Sequence, residues 1–225
     1  LTRRLGELTA RQLAAVGFNL DFSPVLDVDS NPDNPVIAAR SYASAPEGVI
    51  RHALAFAAGL EAGGVIPCGK HFPGHGDTDL DSHLALPRLP HDLARLREVE
   101  LRPFEAAVKA GIPTMMSAHI IFEALDQVWP ATLSAEVLPT LLREEMGFDG
   151  VVFSDDLEMR AIADHQSAES IAEQGLGATL DVFLVCHELD RARAIRSALA
   201  ASARRDLASD ARSRGLSRRY GLALV

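Results

Sequence analysis

Val65-Ile-Pro-Cys-Gly-Lys-His-Phe-Pro-Gly-His-Gly-Asp-Thr78 sets a short apolar run directly against lysine, histidine and aspartate. Residues 65–69 are apolar and nearly unalternated, the pattern of a strand buried on both faces. Ahead of them, Pro46 to Ala62 has helical periodicity and stops at Gly63-Gly64. Behind them, Lys70 to His83 is a histidine-rich loop. His91 to Ala110 then predicts a helix distorted at Pro103 and ended by Gly111.

The same alternation extends both ways. Upstream lie an amphipathic helix, Leu1 to Val16, a strand, Phe18 to Asp27, and a turn-rich loop at Asn31 to Pro35. Downstream come a strand at 112–118, a helix at 134–146, a strand at 150–154, a helix at 168–176 and a strand at 180–185. Residues 187–225 read as a helical C-terminal tail. Strands separated by helices call for a parallel sheet. Asp27, Lys70-His71, His119 and Asp155-Asp156 all follow strand ends, the active-site face of a β/α barrel. No G-x-G-x-x-G follows the first strand, which disfavours a doubly wound sheet. The expected fold is α/β, a (β/α)8 TIM-type barrel in one domain, 1–225, with too few strands to close.

The chain has 225 residues, 48% hydrophobic and 24% charged, which suits one globular domain. A net charge of -9 argues against nucleic acid as the partner. No run reaches the roughly 18 apolar residues of a membrane span. Two cysteines, Cys68 and Cys186, fall in predicted strands and read as free buried thiols. That cysteine usage favours the cytoplasm.

Three histidines, three aspartates and a lysine crowd into residues 70–83. In Asp81-Ser-His83 the carboxylate can orient the imidazole two residues on, making His83 a general acid and base. A metal site built from His71, His75, His83 and Asp77 is the competing reading. Of the adjacent pair, Asp156 suits a helix N-cap and Asp155 suits chemistry, as stabiliser, metal ligand or nucleophile at a sugar carbon. Arg40 either pairs with a surface carboxylate or holds sugar hydroxyls. Lys70 and His71 face the same choice.

Lys70-His-Phe-Pro-Gly-His-Gly-Asp-Thr78, Asp81-Ser-His83, Asp21-Phe-Ser-Pro-Val-Leu-Asp27, Arg40-Ser-Tyr42, Met115-Met-Ser-Ala-His119 and Phe153-Ser-Asp-Asp-Leu157 together resemble bacterial β-N-acetylhexosaminidases of glycoside hydrolase family 3. The similarity runs from about Gly17 to Cys186. It implies a retaining enzyme releasing terminal β-linked N-acetylglucosamine from muropeptides or chitin-type oligosaccharides. It further implies Asp155 as nucleophile, His83 as acid/base assisted by Asp81, and Arg40, Lys70 and His71 as sugar ligands. No cofactor or metal is implied, and a cytoplasmic monomer is expected. The family also carries two strands before Phe-Ser-Pro-Val, the second ending in Asp-Gln-Glu-Gly-Gly, and nothing here matches them. The expectation is an N-terminally incomplete barrel lacking the first two βα units, poorly stable and weakly active. A metal-dependent barrel hydrolase and an inactive remnant are the alternatives.

Overall fold

The computed structural model describes residues 1–80, 85–204 and 207–222. In chain order the elements are α1 (Thr2–Ala15), β1 (Leu20–Asp21), α2 (Pro46–Ala62), β2 (Ile66–Phe72), β3 (Arg88–Leu89), α3 (Leu93–Glu98), α4 (Arg102–Lys109), β4 (Thr114–Ser117), β5 (Ile121–Phe122), a π-wound helix (Glu136–Glu145), β6 (Val151–Phe153), α5 (Arg160–Ala163), α6 (Ala168–Gly177), α7 (Leu189–Ala201) and α8 (Leu207–Tyr220). Strands β1, β2, β4 and β6 form one parallel sheet in that order. Val182 bridges Phe153 in parallel and adds a fifth position. The sheet does not close among the described residues. β3 and β5 form a separate parallel ribbon.

Alternation along the strands sorts the core into two layers. Leu26, Phe72, Met115 and Val152 face the helices, where they meet Val49, Ala53, Phe104, Ala107, Leu138 and Leu141. Leu20, Phe22, Cys68, Met116, Val151, Phe153 and Leu184 form the opposite layer, on the inner face of the sheet. Residues two apart share a face. Asp155 therefore continues the row of Phe153 beyond the apolar layer, whereas on β2 the alternation breaks between Cys68 and Phe72, which face opposite layers.

Several elements differ from expectation. The helix foreseen at 91–110 is two: α3 ends at Glu98, and α4 takes Pro103 into its first turn, where a missing N–H costs nothing. β2 runs to Phe72, so Lys70 and His71 belong to the strand rather than to the following loop. Segment 180–185 lies beside β6 but pairs by one bridge only. Cys68 is buried and free as expected; Cys186 is free but exposed, beyond that bridge.

A buried ion cluster fixes the far end of β6. The fully buried Asp181 carboxylate accepts from Arg143 Nη2 at 2.9 Å, Arg212 Nη2 at 2.8 Å and Val152 N at 2.8 Å. It ties the π-wound helix and α8 to the sheet. Asp181→Ala leaves two partly buried guanidinium groups without this carboxylate and is expected to cost roughly 3–5 kcal/mol. Urea unfolding measures it; a change within about 0.5 kcal/mol, as for an ordinary surface site, would contradict the assignment.

Candidate active site

At the C-terminal end of β2 the register against β4 slips: Gly69 pairs Met115, but Phe72 pairs Ser117. Three steps on β2 match two on β4, a bulge that falls on Lys70 and His71 and re-aims their side chains. His71 is buried, 4% exposed, and its Nδ1 lies 2.7 Å from Asp27 Oδ2. Asp27, fully buried, also accepts from His71 N at 3.1 Å and His75 N at 2.7 Å. Burial opposes ionisation of Asp27, yet the charge His71 carries when protonated and its hydrogen bonds, with His75, outweigh it and hold its pKa below the usual carboxylate value.

Asp155 follows β6 and is largely buried. Burial pushes its pKa up, but His71, His119, the Asp156 N–H and Lys70 prevail and hold it down. The half-buried Lys70 has its pKa lowered by burial and by Arg40, against the opposing pull of Asp155. Arg40 ends a short 3-10 turn, Ala38–Arg40, is exposed, and donates to Val36 O at 3.3 Å. The structure thus gathers Arg40, Lys70, His71 and Asp155 into one electrostatic neighbourhood. It is a carboxylate held ionised among lysine, arginine and histidine side chains, able to hold a polyhydroxylated ligand and to attack an electrophilic carbon.

The neighbouring loops are built onto this ring. The buried Asn34 donates to His75 O at 2.8 Å and Thr78 Oγ1 at 3.2 Å, and Ser30 Oγ donates to Asp77 at 2.7 Å. Across the mouth, Ile121 N donates to Pro87 O at 3.0 Å. Residues on either side of 81–84 are therefore anchored at the strand C-terminal ends. Asp81 and His83 themselves lie outside the described residues.

His119 serves the same end from beneath. Its Nε2 faces the Asp156 carbonyl at 3.0 Å and its Nδ1 faces Thr132 Oγ1 at 2.8 Å. A carbonyl only accepts, so Nε2 carries the hydrogen. Burial lowers the pKa of His119 and favours the neutral ring. Asp156 Oδ1 accepts from Glu158 N at 3.1 Å, capping a tight turn rather than helix α5, whose N-cap is Met159.

The metal reading fares differently. His71, His75 and Asp77 do not bring three ligand atoms together. Among the described residues only Asp156, Glu158 and His187 do, within 4.8 Å. Glu158 is there occupied by the N–H groups of Cys186, His187 and Glu188. A cavity of about 440 Å³ opens at the other end of the sheet, under α8, and its arginines Arg212 and Arg219 are committed to Asp181 and Glu61.

Residues 1–209 match the family described as glycosyl hydrolase family 3 N terminal domain. The chain belongs to glycosyl hydrolase family 3. It is 41% identical over 187 residues to a beta-hexosaminidase of Neisseria meningitidis serogroup C, covering 83% of this chain and 51% of that protein. A family 3 beta-N-acetylglucosaminidase from Paenibacillus sp. FPU-7 superposes with a TM-score of 0.95 at 40% identity, covering all of this chain and 45% of that one. NagZ from Neisseria gonorrhoeae in complex with N-trifluoroacetyl-D-glucosamine gives 0.82 at 36% identity, covering 95% of this chain and 60% of that one. The chain thus spans about half the length of such relatives. Its α/β architecture is the TIM-barrel type of the family.

Lys70, His71 and Asp155 stand at the strand C-terminal ends where the sequence set them, and Arg40 reaches the electrostatic field of Lys70 from the loop. Asp27 and His119 were visible at strand ends but had no assigned role. Their partners lie 44 and 37 residues away, so spacing carried no signal.

Burial also drives the pKa of His75 down to about 4, aided by the charge of His71. The unfolded chain, with an imidazole pKa near 6.5, binds more protons than the folded one between those values. Stability is therefore full above about pH 6.5 and falls as pH drops toward 4, by roughly 3 kcal/mol from His75. A melting series from pH 7 to 4.5 reads this; a Tm flat across that window would contradict it.

Proposed function

We propose that the chain carries the catalytic site of a retaining β-N-acetylhexosaminidase that releases terminal β-linked N-acetylglucosamine. The observation that carries this reading is the ionised Asp155 carboxylate among His71, Lys70 and Arg40 at the barrel mouth. The names of the relatives, beta-hexosaminidase and beta-N-acetylglucosaminidase, support it.

Asp155 attacks the anomeric carbon as the bond to the leaving oxygen breaks. His83, oriented by Asp81, gives that oxygen its proton. The product is a glycosyl ester on Asp155. His83 then takes a proton from water, the water oxygen attacks the same carbon, and the ester bond breaks to return the carboxylate with net retention. Arg40, Lys70 and His71 hold the sugar hydroxyls throughout. No metal takes part in these steps, so turnover withstands chelator.

The natural substrates under this reading are muropeptides or chitin-type oligosaccharides, and the setting is cytoplasmic cell-wall recycling by a monomer. The acidic balance argues against nucleic acid as the partner. Among the described residues no helix is long and apolar enough to cross a membrane. The barrel and its tail, 187–225, form one catalytic domain.

Hydrolysis of an aryl N-acetylglucosaminide tests the roles. Asp155→Ala is expected to lose about 10⁴-fold or more in kcat, since the covalent step disappears. His83→Ala should lose about 10²-fold or more on a disaccharide, yet much less on an activated aryl glycoside, whose leaving group needs no proton. Equal losses on both substrates would remove His83 from the acid role. Turnover retained in Asp155→Ala would end the reading.

A further inference from the structure

Asp27 has no part in the bond-breaking scheme, yet it is a fully buried carboxylate sharing its oxygens among three N–H groups of the sugar-facing strand and loop. Oδ1 takes the backbone N–H of His71 and of His75; Oδ2 takes His71 Nδ1 at 2.7 Å. A carboxylate has nothing to donate, so the hydrogen of that last bond sits on Nδ1. The other ring nitrogen, Nε2, has no hydrogen-bond partner among the described residues, and the ring is within electrostatic reach of Asp155. The carbonyl of Asp27 accepts from Ser41 Oγ at 2.7 Å, which ties the turn bearing Arg40 to the same residue.

We propose that Asp27 is a positioning residue that fixes the His71 imidazole in the Nδ1–H tautomer and turns Nε2, as an acceptor, toward a sugar hydroxyl. The tautomer is set by the partner of the opposite nitrogen, so the ligand-facing end of the ring is decided 44 residues away in sequence. The ligand in question rests on the hydrolase reading above; the tautomer does not.

Asp27→Asn separates the two. The amide is isosteric: its oxygen keeps the two backbone N–H groups, and its NH₂ then faces Nδ1. The ring must give up the hydrogen there and carry it on Nε2, which reverses the end offered to the sugar. Long-range ¹H–¹⁵N spectra at pH 8 are expected to show His71 protonated on Nδ1 in the wild type and on Nε2 in Asp27→Asn. For an aryl N-acetylglucosaminide, kcat/KM is expected to fall at least tenfold, mainly through KM. In a His71→Ala background the same change should cost less than twofold, because no ring is left to orient.

A wild-type ring protonated on Nε2 alone would overturn the proposal, whatever the variants do. So would an unchanged tautomer in Asp27→Asn, or a loss that multiplies fully with that of His71→Ala, as a merely structural role predicts. If no N-acetylglucosaminide is turned over by any form, the hydrolase reading fails while the spectra still decide the tautomer.

Discussion

A carboxylate buried without water must be met by donors, and that requirement at Asp27 organises the mouth of this barrel. An unpaired charge in the interior would cost several kcal/mol, so the chain brings it the backbone and ring of His71 and the backbone of His75. Three stretches of sequence thereby meet: the segment after β1, the bulged end of β2, and the loop from Gly74 to Thr78. The contact is close. A Cβ on Gly76 would lie 1.6 Å from Val28 O, so only glycine lets that loop settle against the segment following Asp27.

Above this floor, charge balance decides what the site can do. Parallel strands end on one side, and each contributes a polar residue just past the apolar layer. Lys70, under burial and the field of Arg40, and Asp155, under burial and the fields of His71 and His119, each have their pKa shifted by the others. The outcome is a carboxylate kept ionised while largely screened from water, a state that suits the nucleophile proposed above. His119 steadies the following turn through the Asp156 carbonyl. On the far side of the sheet, Phe104, Leu138 and their neighbours hold the strands in register without touching the chemistry.

Much of this was legible in the residues. α1, α2 and α6 lie within about a residue of the spans expected from their apolar spacing, and glycines mark the ends of α2 and α4. The strand-end rule pointed Lys70, His71 and Asp155 to one face, whereas Arg40, in a loop, stayed open between a surface ion pair and the site. What escaped was non-local. The β3–β5 ribbon has two residues per strand, too few for any period, and exists because Arg88 and Leu89 find Ile121 and Phe122. One helix distorted at Pro103 was expected over 91–110, whereas the chain turns before the proline and lets it start a second helix. The role of Asp27 depends on partners that only folding brings near.

The central claim is that Asp155 forms the bond to the sugar. A slow-turnover fluorinated N-acetylglucosaminide with an activated leaving group, quenched in acid and followed by peptide mass mapping, tests it most directly. The account predicts one glycosyl adduct, on the peptide from β6, at Asp155. Turnover of the reagent with no adduct, or an adduct on another side chain, would contradict it.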